Sequence, residues 1–274
     1  MPQDKYSAVW VSNSSISDFL TCPRLYYLRN VYKDPATGHK INIINPALAL
    51  GQAVHVVLEG LSVLDYDKRF EVPLLEKYDI AWREVSGKMG GFRNGEQEQE
   101  VKERGANMLK RATEHPGPLS RKAIKIHKEL PNYYLSEEEN IILCGKIDWL
   151  EYLPDDTVHI IDFKTGRNAE KPNSLQLPIY YLLVENCQKR PVSKASYWYL
   201  ERDDTLTDMQ LPDRDEAFTK VLEIAKEVKQ ERLKGEYICR KGGCNACLPF
   251  EAIINKEAEF VGVGGYNQDL YILN

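Results

Sequence analysis

The apolar positions change their period roughly half-way along the chain. Ser15-Ile16-Ser17-Asp18 has the form of a capping box, so a helix is expected to start there and run past Cys22. Ala47 to Leu64 is apolar nearly all round, which predicts a buried helix. Leu74 to Ser86 and Gln97 to Glu114 read as polar helices on either side of a Gly-rich break, Gly87 to Gly95. His115-Pro116-Gly117-Pro118 closes this helical half. Three β-like runs follow, Ala123 to Leu130, Ile141 to Tyr152 and Val158 to Lys164, with a hairpin loop at Pro154-Asp155-Asp156 between the last two. Ser174 to Cys187 is predicted helical, and Pro178 lies near enough to its start to be tolerated. Ala195 to Leu200 reads as a strand and Asp208 to Leu211 as a short edge strand. Asp213 to Lys234 is a long amphipathic helix that leads into a Cys-rich segment.

No internal repeat or low-complexity linker divides the 274 residues, so one α/β domain over 1–274 is expected. Its parts would be a helical region of about 12–118, a sheet of about 120–212, and a C-terminal helix with the cysteines over 213–274. Hydrophobic residues at 43% and charged residues at 28% are ordinary for a soluble globular chain. No stretch is expected to reach the roughly 18 or more apolar residues of a membrane span. Met1-Pro2-Gln3-Asp4 lacks the basic and apolar regions of a secretory signal, so a cytoplasmic location is expected. The net charge of −5 argues mildly against a nucleic-acid partner. Two local clusters qualify this: Arg121, Lys122, Lys125 and Lys128, and Arg24, Arg29 and Lys33.

The chemistry concentrates in the hairpin. Strand side chains alternate faces, so in Ile160-Ile161-Asp162-Phe163-Lys164 the Asp162 and Lys164 side chains share one face. If the hairpin is centred on Asp155, Asp148 falls directly opposite Asp162. Opposed residues have Cβ atoms ~4.5–5.5 Å apart, where like charges repel. Two acids so placed among apolar residues point to a bound cation, and carboxylates suit magnesium or manganese. Lys164 would stabilise developing charge or hold an attacking water. An ordinary surface Asp–Lys pair is the plainer alternative.

The chain resembles the RecB-like branch of the PD-(D/E)xK nuclease superfamily, which includes AddB nuclease domains and CRISPR-associated Cas4 proteins. Five elements in order carry the resemblance: Cys22-Pro23-Arg24-Leu25-Tyr26-Tyr27, Gly51-Gln52-Ala53-Val54-His55, Gly145-Lys146-Ile147-Asp148, Ile161-Asp162-Phe163-Lys164-Thr165-Gly166, and Gln176-Leu177-Pro178-Ile179-Tyr180. It implies a restriction-endonuclease-like α/β core, a mixed central sheet flanked by helices, with an N-terminal helical region covering a DNA channel. It further implies that His55, Asp148, Asp162 and the Phe163 carbonyl hold Mg2+ or Mn2+, and that Lys164 is catalytic. Gln176, Tyr180 and Arg24 would touch DNA, and Glu129 is a further candidate acid. Taken alone, His55 could be a hydrogen-bonded core histidine, although Gly51 one turn earlier leaves room for close approach. Gln176 and Tyr180, four apart on one helical face, could simply pack.

Of the six cysteines, Cys144 and Cys187 sit in apolar runs and read as small buried hydrophobes. Cys239-x4-Cys244-x2-Cys247 has metal-ligand spacing, with Gly242-Gly243 allowing a tight wrap. In iron–sulfur members of the branch one N-terminal and three C-terminal cysteines hold a 4Fe–4S cluster, which would add Cys22. The usual longer gap between the last two cysteines is missing, so a structural Zn2+ site is the alternative. The activity implied is that of a DNA nuclease, an exonuclease on ends or single strands, in recombination, repair or CRISPR adaptation. No G-x-x-x-x-G-K-[ST] phosphate loop is present, so unwinding would need a helicase partner. A non-catalytic DNA-binding scaffold and a purely structural metal protein are the competing readings.

Overall fold

The computed structural model describes residues 5–124 and 130–273. Its elements are β1 (Val9–Val11), α1 (Asn13–Thr21), α2 (Pro23–Tyr26), β2 (Lys40–Ile43), α3 (Pro46–Gly60), α4 (Leu74–Arg83) and α5 (Gly95–Glu114). They continue with β3 (Asn132–Ser136), β4 (Ile141–Cys144), β5 (Trp149–Tyr152), β6 (Val158–Lys164), α6 (Gln176–Cys187), β7 (Val192–Tyr199) and β8 (Thr207–Met209). The last are α7 (Arg214–Lys234), α8 (Leu248–Ile254), β9 (Ala258–Gly264) and β10 (Gln268–Leu273). The chain forms two compact units, one of residues 45–131 and 146–214, the other of residues 1–44, 132–145 and 215–274.

The first unit holds a four-stranded sheet in the order β5-β6-β7-β8. β5 and β6 are antiparallel, β6 and β7 parallel with α6 as the crossover, and β7 and β8 antiparallel. β6 is the central strand, which is why Val158-His159-Ile160-Ile161 lacks the alternation of a half-exposed strand: both faces are covered. One face packs Trp149, Ile161, Phe163 and Trp198 with apolar residues of α3, α4 and α5. That face also buries a polar chain. His159 contacts Glu151 (3.1 Å) and Ser196 (2.7 Å), and the Ser196 hydroxyl donates to Asp208 (2.8 Å), so no member is left unpaired. Arg121 reaches the same Glu151 at 2.8 Å.

α3 buries Ala49, Leu50, Ala53, Val54, Val57 and Leu58, while Leu48 and Val56 stay exposed. The all-round apolar pattern thus overstates its burial. Among the described residues Pro46–Val63 is also apolar and long enough to cross a membrane, contrary to the expectation that no stretch qualifies. Here its buried face is part of the core around Trp149 and Phe163. The expected strand Ala123 to Leu130 falls largely on residues outside the described ones, as do Lys125, Lys128 and Glu129; Ala123 itself makes an isolated bridge to Glu151.

The second unit holds two three-stranded sheets, β1-β4-β3 and β2-β10-β9. The expected single strand Ile141 to Tyr152 is therefore two strands in two sheets, β4 and β5, separated by Gly145-Lys146-Ile147-Asp148. The expected helix through Cys22 is also broken. It begins earlier, with Ser12 as N-cap in a capping box with Ser15, and ends at Thr21. Pro23 excludes helical backbone at the preceding residue, and Cys22 is extended at φ −168 and ψ 121.

Candidate active site

Asp162 and Lys164 leave β6 on one face, as the alternation requires, and Lys164 Nζ lies 2.9 Å from Asp162 Oδ2. The hairpin register pairs Trp149 with Ile161 and Tyr152 with Val158, which is the register centred on Asp155. Asp148 is the residue before β5 rather than part of it. Freed from the ladder, its carboxylate turns onto the neighbouring strand and Oδ2 accepts the Phe163 N–H at 2.9 Å. α3 supplies His55, whose Nδ1 is 3.5 Å from the same Oδ2 and 3.1 Å from Glu59 Oε1. Gly51 eases that approach, because a Cβ there would stand 3.3 Å from Thr165 Oγ1 and the Thr165 side chain would have to give way.

α6 completes the group. Gln176 accepts from Lys164 Nζ through its carbonyl oxygen. Its Nε2 donates to Asp162 Oδ1 at 2.7 Å and to the Tyr180 hydroxyl at 3.2 Å. Glu170 adds a second carboxylate to Lys164 at 3.0 Å, and the ammonium stands over the Tyr197 ring, 4.9 Å from its centroid. The sequence reading missed Glu59 and Glu170. Glu59 was detectable, since i,i+4 spacing places it beside His55. Glu170 lies in a loop with no periodic signal.

Burial, reinforced by the charge of Asp148, raises the Asp162 carboxyl to about 7 against the opposing pull of Lys164 and His55. For His55, burial disfavours the charged imidazolium, yet hydrogen bonds to Asp148 and Glu59 outweigh it and lift the group to about 10. Lys164 is likewise disfavoured by burial, but Asp162 and Glu170 hold it above the ordinary lysine value, so it is an ammonium. Asp162 Oδ2 is buried and is met only by the Lys164 ammonium, as an ion pair at 2.9 Å. Two buried carboxylates and an imidazole gathered in this way are a donor set that fits a divalent cation.

The other unit gathers Cys22, Cys239, Cys244 and Cys247, with all four sulfurs within 4.8 Å of one another. Cys22, Cys239 and Cys244 border a cavity of about 550 Å³ with Gly243 and Lys241. Gly242 and Gly243 have φ of +66 and +136, the backbone that lets the loop wrap. N–H groups of Lys241 and Gly243 lower the Cys239 thiol, and those of Cys247 and Ala246 bring Cys244 down to about 6. Burial raises Cys22 and pushes Cys247 up to about 12. Four converging thiols solvated by backbone N–H groups fit a thiolate-bound metal centre. Arg24, expected at DNA, belongs to this unit, where it pairs with Glu251 and stacks on Tyr27 at 5.2 Å.

The profile of the PD-(D/E)XK nuclease superfamily matches residues 11–251. The chain belongs to that superfamily. A crystal structure from Eubacterium rectale, named "putative exonuclease", is similar over 91% of this chain and 92% of its own, with a TM-score of 0.51 and 13% identity. At that identity the likeness shows the fold, which is the restriction-endonuclease-like α/β arrangement expected. None of the curated proteins matches. Membership in this superfamily implies divalent-metal-dependent phosphodiesterase chemistry.

Proposed function

We propose that this nuclease cuts DNA, as an exonuclease on ends or single strands, with its centre at Asp148, Asp162 and Lys164. The observation that carries the reading is the buried Asp162 carboxyl, whose Oδ2 meets only the Lys164 ammonium, close to the charges of Asp148 and His55. His55, Asp148, Asp162 and the Phe163 carbonyl would hold Mg2+ or Mn2+. When bound, such an ion polarises the phosphodiester and promotes ionisation of water beside it. Lys164, kept protonated by Asp162 and Glu170, supplies positive charge where the phosphate gains negative charge. Gln176 fixes both Lys164 and Asp162, so neither must reorganise during the reaction. Gln176, Tyr180 and Arg24 are the proposed DNA contacts.

The four cysteines form part of the proposal as the seat of a 4Fe–4S cluster, which the resemblance to iron–sulfur members of the RecB-like branch supports. The sulfur spacing favours a second reading. A single tetrahedral zinc with bonds of ~2.3 Å sets its sulfurs ~3.8 Å apart, whereas a cluster spreads its thiolates over separate irons. Metal analysis and the visible absorption of anaerobically purified protein decide between them. One nuclease domain over 1–274, a cytoplasmic setting, a role in recombination, repair or CRISPR adaptation, and a helicase or adaptation-protein partner complete the proposal. The profile match, which runs through the sequence of both units, supports the single domain.

The test compares wild type with Lys164→Ala and Asp162→Ala on end-labelled single- and double-stranded DNA with Mg2+ or Mn2+. Each variant is expected to lose at least about 100-fold, the scale of a lost electrostatic stabiliser. Equal cleavage by all three proteins would overturn the reading, and metal-independent DNA binding without cleavage would establish a scaffold instead.

A further inference from the structure

Arg69 is a cation buried to 2% exposure, and among the described residues no carboxylate pairs with it. Burial, unopposed by any neighbouring charge, lowers it from the ordinary arginine value. The guanidinium stacks on Trp149, 4.8 Å from the ring centroid. Its Nε donates to the Leu61 and Leu64 carbonyls and its Nη1 to those of Leu119 and Arg121. A purely structural arginine would be accounted for by these bonds, which fix the group in one orientation. Nη2, which carries two further N–H groups, takes part in none of them. A buried charge without an opposite partner is costly, so the fold holds a cation that lacks its anion.

Arg69 borders a cavity of about 500 Å³, and two more cations border it, Lys122 and Arg190. Lys122 comes from the basic cluster seen in the sequence and makes no ion pair among the described residues. Backbone bonds from Tyr152 to Lys122 and from Ile124 to Leu150, both 2.8 Å, hold its segment along β5. Arg190 stacks on Tyr152 at 4.7 Å and pairs with Asp156 at 2.9 Å. Among the described residues Asp65 is the one acid of the lining, and it faces Lys68 at 3.6 Å. The rim adds Tyr66, whose ring is half exposed. Tyr152 ends β5 on the side of the hairpin turn, whereas Asp148 precedes its other end. The length of β5, roughly 13 Å at ~3.3 Å per residue, separates this cavity from the acids.

We propose that this cavity binds the phosphate of a nucleotide, at a site separate from the candidate active centre. Arg69 and Lys122 supply positive charge that no protein carboxylate answers, and charged hydrogen bonds to a phosphate are strong. The Tyr66 ring offers a face on which a base can stack. A free mononucleotide and a phosphorylated strand end present the same chemistry. The phosphate site stands on its own geometry, and only its assignment to nucleotides rests on the nuclease reading.

The experiment titrates the metal-stripped full chain by calorimetry with inorganic phosphate, deoxyadenosine, deoxyadenosine monophosphate and a 5′-phosphorylated single-stranded oligonucleotide. The monophosphate is expected to bind more tightly than phosphate, and deoxyadenosine not to bind. Lys122→Glu and Arg69→Gln are each expected to weaken the monophosphate at least about tenfold, the scale of a lost charged hydrogen bond. Lys164→Ala is expected to bind it as wild type does. Whichever of the monophosphate and the oligonucleotide loses more affinity in Lys122→Glu is the occupant. Unchanged affinity in Lys122→Glu, or a loss in Lys164→Ala instead, would overturn the inference, as would a monophosphate bound no better than phosphate. Should Arg69→Gln fail to fold, Lys122→Glu decides, because that side chain is exposed. Binding that depends on Lys122 in a protein that cleaves no DNA would sink the nuclease reading and leave this phosphate site standing.

Discussion

At the scale of single residues, burial and partners hold protons on Asp162 and His55, two of the proposed cation ligands. Asp162, raised to about 7, favours its protonated form in the folded state, so stability is lost as pH rises from about 4 through 7. His55, raised to about 10, contributes stability that is complete below its ordinary value of 6.5 and lost as pH rises toward 10. Both slopes have the same sign: the metal-free protein becomes less stable with rising pH at this site. Cation binding must displace those protons and therefore gains over the same interval. Apparent Mn2+ affinity is expected to be at least about tenfold higher at pH 8.5 than at pH 5.5, a difference of ~1.4 kcal/mol. Thermal shifts at a fixed Mn2+ concentration check this, and equal shifts at the two pH values would contradict it.

At the scale of elements, the decisive contact is between α3 and the turn after β6. Gly51 stands one turn before His55 and faces Thr165, which follows Lys164. A larger side chain at 51 improves helix propensity but must push α3 from that turn, carrying His55 and Glu59 from Asp148. Gly51→Leu is expected to destabilise by about 1–3 kcal/mol and to weaken Mn2+ binding. Denaturant melts with and without Mn2+ separate the two effects, and a variant with wild-type Mn2+ affinity would show that the contact is mere packing. The hairpin is as important. Because β5 starts after Asp148, that carboxylate can accept the Phe163 N–H instead of standing in the ladder. Hydrophobic pattern alone could not reveal this, since Ile141 to Cys144 and Trp149 to Tyr152 are equally strand-like and only their partners differ.

At the scale of the whole molecule, the two compact units carry separate chemistry, the acids in one and the cysteines in the other. In the cysteine unit, Cys22 and Cys247 lie in a small core with Leu25, Leu28, Ile41, Phe250 and Ile253. So small a cluster gains much of its stability from whatever ties its cysteines together. Cys244→Ser is expected to lower the melting temperature by roughly 5–10 °C, equivalent to a few kcal/mol. Hydrogen exchange should then accelerate over 215–273 while the β5–β8 sheet keeps its protection. Uniform acceleration across both units, or none, would show that the cysteines do not stabilise their own unit. The expected end of the chain was also incomplete: β9 and β10 form a hairpin through Tyr266 and Asn267, both at positive φ. Gly264-Gly265-Tyr266-Asn267 carries the glycine and asparagine that such a turn favours.

What the residues determined by themselves was local. β6, α6 and α7 lie within two residues of their expected limits because period and breakers are properties of adjacent positions. The pairing of β5 with β6 followed from the short turn, and with it the common face of Asp162 and Lys164. Tertiary structure alone decided where the run from Ile141 to Tyr152 divides, which sheet each half joins, and that Gln176 and Glu170 both meet Lys164. Those outcomes depend on partners far apart in sequence, and pairing free energy at a distance leaves no periodic trace in either strand or helix.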